Sequence, residues 1–270
     1  MNKKRTTDDK CKTLDYSNKL LKGIVKRCNN RKLENLDLWI NFQAKTFSRE
    51  NSLASAPRFK RYRRGTIVMV DFGTGIGNEL SGYHFGIVLT KHDSPGSGTV
   101  TVLPLTSKNK KYNIPLGTEL VQKAFDEINA EITQLQDILD SLLNKLAEIS
   151  KSESIENTPK ILTLDDEPAV RFLNKFTGKE AGPDQCINYT GDEIIQMLYE
   201  IKNELSDAYN FYHSKMTDSF GIITGISTVS KFRIRKPINR MDPIGSIRVS
   251  DTTLQIIDMA LVKTFTGLTS

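Results

Sequence analysis

A histidine, a threonine and a group of lysines fall at the ends of neighbouring β-type segments in this chain. The first segment is Gly65-Thr66-Ile67-Val68-Met69-Val70-Asp71-Phe72-Gly73, and a glycine-punctuated loop runs on to Gly82. The second, Tyr83-His84-Phe85-Gly86-Ile87-Val88-Leu89, carries His84 at its start, and the third, Thr99 to Lys108, ends in Leu105-Thr106-Ser107-Lys108. An imidazole, an alcohol and cations are a set that could cut RNA without a metal. That reaction needs the 2′-hydroxyl deprotonated for attack on the neighbouring phosphate, an acid for the departing 5′-oxygen, and donors for the charged phosphorane. A histidine exchanges a proton near neutral pH, as an arginine does not. Positioned acid–base groups contribute about 10²–10⁴-fold, and preset donors often give more. The Thr106 hydroxyl can donate to a non-bridging phosphate oxygen, and Lys108, Lys110 and Lys111 can hold the flanking backbone. Tyr83, Phe85 and Tyr112 offer rings on which unpaired bases could stack. Each residue also has a structural reading. A histidine at a strand start is commonly a half-buried hydrogen-bonding group, threonines often end strands, and Lys108-Asn109-Lys110-Lys111-Tyr112 reads equally as a solvated turn.

The bulk properties are compatible with such a partner without demanding it. The chain has 270 residues and a formal net charge of +6. A basic balance favours polyanions but is also an ordinary solvated surface. The three cysteines, Cys11, Cys28 and Cys186, form no CxxC pair. A disulfide framework and a cysteine zinc site are therefore not expected, and a reducing cytosol fits. His84, His92 and His213 are scattered, so no metal or other cofactor is expected. No apolar run is long enough to span a bilayer. The basic start, Met1 to Arg5, is followed by polar residues, unlike a secretion signal. A cytoplasmic location without a membrane partner is the expectation.

Three compositional zones would have to position the candidate residues. Residues 1–60 carry helix-type spacing at Leu14, Leu20, Leu21, Ile24 and Val25, and again at Leu33, Leu36, Ile40, Ala44 and Phe47. Asn29-Asn30 should break this zone into two helices, giving an N-terminal helical arm. Residues 61–120 and 217–270 form a β-rich body in two pieces. Alternation at Tyr83, Phe85, Ile87 and Leu89 predicts a strand with one buried face. Asp93 to Gly98 is a turn signal. Ile244 to Val249 reads as a short strand, and Ser250-Asp251 can cap a terminal helix carrying Leu254, Ile257, Leu261 and Phe265.

Residues 121–216 interrupt that body. Val121, Phe125, Ile128, Ile132, Leu135, Leu139, Leu142, Leu146 and Ile149 alternate spacings of four and three, and Ile194, Leu198, Ile201, Leu205, Ala208 and Tyr212 repeat the pattern. Two helices that leave and re-enter one body must run antiparallel, so an inserted coiled-coil hairpin is expected, read as a partner or dimer arm in preference to a passive insertion. Its tip, Ser150 to Thr190, should be loop-rich, with one short helix around Pro168–Phe176.

The β-rich pieces resemble the MazF/PemK family of toxin endoribonucleases. The matching residues are Gly65 to Gly73 for the first strand, Gly77-Asn78-Glu79-Leu80-Ser81-Gly82 for the loop, Tyr83 to Leu89 for the second strand and Val100 to Lys108 for the third. Ile223 to Val229, followed by Ser230-Lys231-Phe232-Arg233-Ile234, resembles the family's late strand and its short basic segment. The resemblance implies an α+β fold built on an SH3-like β-barrel, a homodimer, and metal-independent cleavage of single-stranded RNA. It also implies inhibition by a small antitoxin and a first loop that gates the site; a DNA-binding role travels with the same resemblance. By this alignment the family's catalytic arginine falls at His84, its catalytic threonine or serine at Thr106, and its acidic loop residue at Glu79. An arginine of the late strand falls at Ser227. Candidate RNA contacts are Ser81, Tyr83, Ser107, Lys108, Lys110, Lys111, Lys231 and Arg233, with Arg235, Lys236, Arg240 and Arg248 further along.

Two functions compete on these residues. One is a toxin-type endoribonuclease with His84 as acid and base and Thr106 as phosphate donor. The other is an inactive module of the same fold that binds RNA or protein and recruits a partner through the coiled coil. A third possibility concerns control. The amphipathic N-terminal helices or the hairpin could restrain the site within the chain, in place of a separate antitoxin.

Overall fold

The computed structural model of the protein describes residues 5–52, 57–152, 161–164 and 187–267. Its body is a mixed α and antiparallel β unit. Strand β1 (Ile67–Asp71) pairs with β2 (Tyr83–Val88), and β2 pairs with β3 (Thr99–Thr106). From β3 the sheet divides: β7 (Ser219–Gly221) follows its end and leads to β4 (Ile114–Gly117), while β8 (Ser227–Ser230) pairs along its beginning. The strand path is β1-β2-β3-β7-β4, with β8 off this path on β3. The sheet is open, since no ladder joins β1 to β4 among the described residues. Single bridges, Thr66 with Arg248 and Val70 with Ile234, line the outer side of β1 instead.

The single buried face expected for the second strand is not what forms. Ile67, Ile87, Leu103 and Leu105 face one apolar cluster, whereas Val68, Val70, Val88, Val100, Val102 and Val229 build a second on the opposite face. Tyr62, Leu80 and Ile234 pack against that second layer. Valine suits it because its branched side chain fills a thin layer with little rotamer freedom to lose. The expected strand at Ile244–Val249 is also absent. That segment is irregular, and hydrogen-bonds to the β1 edge through Gly245 N to Ile67 O at 2.8 Å and Ile67 N to Ile247 O at 3.0 Å.

Helix α3 (Glu119–Ser152) follows β4, and α4 (Gly191–His213) returns to β7. They pack together, with the Phe125 ring 5.1 Å from that of Tyr209. Val121, Phe125, Ile128 and Leu135 on α3 are buried in the same cluster as Ile201, Leu205, Ala208 and Tyr212 on α4. That cluster is continuous with Ile67, Ile87 and Leu103 of the sheet. The base of the helix pair is therefore part of the body's core. Within the tip, β5 (Ile161–Leu164) pairs antiparallel with β6 (Ile187–Thr190), an element absent from the loop-rich reading. The expected helix around Pro168–Phe176 lies outside the described residues.

At the N-terminus, α1 (Thr7–Lys26) starts at a capping box in which the Thr6 hydroxyl accepts from Asp9 N. Asn30 ends the break after α1 by accepting from Lys32 N at 3.0 Å, and α2 (Leu36–Ser52) follows. None of the α1 residues is buried, while α2 buries Leu36. The terminal helix α5 (Asp251–Phe265) begins where expected, with Ser250 Oγ accepting from Thr253 N at 3.2 Å. It buries Leu254 and Ile257, and Phe265 stays exposed.

Candidate active site

His84 is the second residue of β2, opposite Val70, close to where the β1–β2 loop rejoins the sheet. Its ring is half-buried and held from two sides. Nδ1 lies 3.0 Å from the Leu105 carbonyl of β3, and Nε2 lies 3.2 Å from the Ser81 carbonyl of the loop. Both partners can only accept, so a neutral ring satisfies one of them and an imidazolium satisfies both. Phe72 meets the ring edge to face at 6.0 Å.

Thr106 is the residue after the carbonyl that holds His84, and it lies at the last position of β3. Its Oγ1 accepts from Lys108 N at 3.2 Å, which turns the chain out of the strand. His84 and Thr106 line one cleft of about 1150 Å³. Tyr83, Phe85, Ser107, Lys108, Arg235 and Lys236 line it as well, so eight of the residues picked out by sequence share this cleft. What the sequence did not indicate is a contribution from the insert. Phe211 and Tyr212 come from the end of α4 and Lys215 from the turn after it, so the insert builds part of the cleft. Arg235 and Lys236 come from the segment after β8. Deep in the cleft the buried Tyr212 hydroxyl donates to Asp242 Oδ1 at 2.6 Å. Burial, with Asp242 beside it, pushes the Tyr212 phenol far above its ordinary range. Asp242 also accepts from Ile238 N and Ile244 N, so this pair is a structural tie under the cleft.

The other sequence candidates lie elsewhere. Glu79 is exposed in the β1–β2 loop, and its Oε2 accepts from Ile76 N at 2.9 Å. Ser81 Oγ accepts from Gly75 N at 3.0 Å, bracing the same loop. Neither side chain lines the cleft. Lys110 and Lys111 are exposed outside it, with the Lys111 ammonium 5.5 Å from the Tyr112 ring centroid.

Lys231 and Arg233 are corrections to the expected RNA contacts. The Lys231 side chain is only 2% exposed and pairs at 2.8 Å with Asp93, whose side chain is fully covered. Its ammonium also donates to the Lys60 and Ser94 carbonyls. Burial raises the Asp93 carboxyl, but hydrogen bonds from Lys231 and from Tyr62 N outweigh it and leave the group below the usual carboxylate range. Arg233 donates to the carbonyls of Asp71 at 2.8 Å and Phe72 at 2.6 Å, and its guanidinium lies between the rings of Trp39, at 5.1 Å, and Phe72, at 5.9 Å. Burial lowers its pKa from the ordinary guanidinium value.

Through Trp39, Arg233 joins the N-terminal region to the loop. The indole covers Gly73, where β1 passes into the loop, so closely that a Cβ added there would clash with the ring atoms. Gly73 also has φ of 68°, a region that side-chain-bearing residues rarely adopt. Ahead of α2, the Lys32 ammonium donates to the Gly77 carbonyl inside the loop. Gly73→Ala should expel the indole. Because Trp39 is the chain's single tryptophan, its fluorescence emission should shift to the red, and an unchanged spectrum would show that the ring does not rest on Gly73.

Among the described residues no three His, Cys, Asp or Glu side chains gather as a metal-ligand set, and no helix is long and apolar enough to cross a membrane. In comparison with known families, residues 63–162 match the model described as PemK-like, MazF-like toxin of type II toxin-antitoxin system. The match takes in β1 to β4, α3 and the start of β5, and so includes His84 and Thr106. No match was found among curated proteins.

Proposed function

We propose that this chain, whose residues 63–162 carry the PemK-like, MazF-like toxin domain, is an endoribonuclease that cuts single-stranded RNA in the cleft beside His84 and Thr106. The observation that supports this most is the placement of an imidazole and a hydroxyl on one open wall beside exposed cations. The 2′-oxygen attacks phosphorus, the bond to the 5′-oxygen breaks, and one proton passes from the first oxygen to the second. His84 carries that proton. Nδ1 keeps the Leu105 carbonyl, while Nε2 leaves the Ser81 carbonyl and turns to the substrate. Thr106 donates to a non-bridging oxygen, where charge builds up in the transition state. The products are a 2′,3′-cyclic phosphate and a 5′-hydroxyl. Purified protein incubated with a long RNA in EDTA should yield those two ends. Intact RNA, or 5′-phosphate ends, would defeat the proposal.

A second reading has one observation in its favour. Both ring nitrogens of His84 face backbone carbonyls, which is what a purely structural histidine would do. In that case the domain binds RNA or protein without cutting, and the helix pair recruits the partner. RNA binding without cleavage across many sequences would favour this module.

The loop contacts suggest how activity is restrained. Ser81, which occupies Nε2 of His84, belongs to the loop that Trp39 and Lys32 hold down. Release of the N-terminal helices, or capture by a cognate antitoxin, would then alter access to the imidazole. Removing one partly desolvated cation–π contact frees about 1 kcal/mol, a several-fold change in the open population. Trp39→Ala should therefore speed amide exchange across residues 73–82 and raise cleavage several-fold. Faster exchange with unchanged cleavage would separate the helices from control.

A further inference from the structure

We propose that Arg235 is the residue that grips the RNA phosphate in this cleft, and that Tyr83 holds it in readiness. This rests on the cleft being an RNA site, and it goes beyond the residues that carry the proton and the hydroxyl. Lys231, Arg233 and Arg235 stand at every second position after β8, and the structure spends the first two internally: Lys231 on Asp93, and Arg233 on two carbonyls between two rings. Arg235 alone of the three is exposed and lines the cleft. Its guanidinium lies 4.8 Å over the Tyr83 ring centroid, and one nitrogen donates to the Tyr83 hydroxyl at 3.3 Å. Among the described residues no carboxylate pairs with it.

Its backbone is fixed too. Arg235 N donates to Met69 O at 2.8 Å, and the preceding Ile234 bridges Val70, the register partner of His84. The arginine is thus anchored across β1 from the histidine. A guanidinium carries five donors. One long bond to a phenol leaves most of them for the two oxygens of a phosphate, which a planar fork meets in bidentate fashion. Stacking on a ring fixes the plane without consuming those donors, so less side-chain freedom is lost on binding. Lys108, Lys215 and Lys236 also line the cleft, but an ammonium on a flexible stem is a point charge without that pre-set plane. Arg235 therefore provides a permanent cation beside a histidine that cannot be one throughout its cycle.

The test measures binding of a 2′-O-methyl RNA strand, which cannot undergo transesterification, to the full chain over a salt series. Arg235→Ala should bind roughly tenfold or more weakly, as expected for a lost charge-assisted contact. The slope of log affinity against log salt should become shallower by about 0.7 for each phosphate contact removed. Arg235→Lys should keep the slope and lose part of the affinity, and Tyr83→Ala should weaken binding with the slope retained. Wild-type affinity in Arg235→Ala overturns the proposal. So does a loss with an unchanged slope, and so does a wild type that binds no RNA. Cleavage of ordinary RNA by the wild type is read separately. Cut RNA with binding indifferent to Arg235 removes this inference and leaves the ribonuclease. Intact RNA with Arg235-dependent binding does the reverse.

Discussion

Replacing His84 with alanine should lower the rate of RNA cleavage by about 10²–10⁴-fold, the contribution of a positioned acid–base group. The imidazole lies at the meeting of β2, β3 and the loop, where it spans Leu105 and Ser81. The backbone ladders on either side do not depend on it: β1 and β2 remain paired from Ile67 to Asp71, and β3 keeps its register with β7 at Leu105 and Thr106. Loss of the half-buried hydrogen bond that a neutral ring makes, with the packing around it, should cost about 1–2 kcal/mol. The fold should therefore survive with a modestly lower Tm. His84→Gln separates position from chemistry. It retains a donor for the Leu105 carbonyl but cannot shuttle a proton, so it should melt closer to the wild type and remain inactive. Wild-type cutting by either variant would take His84 out of the reaction.

The largest effect on stability is expected at the buried pair of Lys231 and Asp93. Lys231→Ala removes the sole cation from a covered pair and strands the Asp93 carboxylate, which should cost about 3–5 kcal/mol in denaturant unfolding. Replacing both members with apolar residues of similar volume should recover most of that loss, because the pair's own burial is costly. The pH dependence has a definite sign. The folded Asp93 carboxyl lies below its usual range, so its share of stability is fully present above the unfolded pKa, near 4. It disappears as the pH falls through the lower folded value. Lys231→Ala should lose this acid-sensitive component, and equal stability of the two proteins at neutral pH would contradict the assignment.

These residues also mark how far the sequence alone could be read. His84, Thr106 and the Ser250 cap were legible because each depends on local order: a strand start, a strand end, and a capping residue ahead of an apolar helix. The seam residues of the helix pair were legible through their spacing, but their union with the sheet core was not. That union depends on where α3 and α4 re-enter the body. Lys231 and Arg233 were misread because their partners, Asp93 and Trp39, lie far away in sequence, and nothing local distinguishes a buried cation from an exposed one. The alternation of 231, 233 and 235 was a usable signal, but only the tertiary partners show that Arg235 is the exposed member. The second, valine-lined face was hidden because the larger apolar residues at 83, 85, 87 and 89 dominated the alternation. Ile244 to Val249 has strand-like composition, yet it joins β1 through isolated bonds.

The most direct test of the account is a single atom in the substrate. An RNA cut at a mapped linkage in EDTA should be remade with one 2′-deoxy sugar on the 5′ side of that linkage, then incubated with wild type and with His84→Ala. Attack by the 2′-oxygen predicts that the wild type spares that linkage alone while still cutting others, and that His84→Ala cuts none. Cleavage at the deoxy position at the normal rate would contradict the account, since a water molecule would then be the nucleophile.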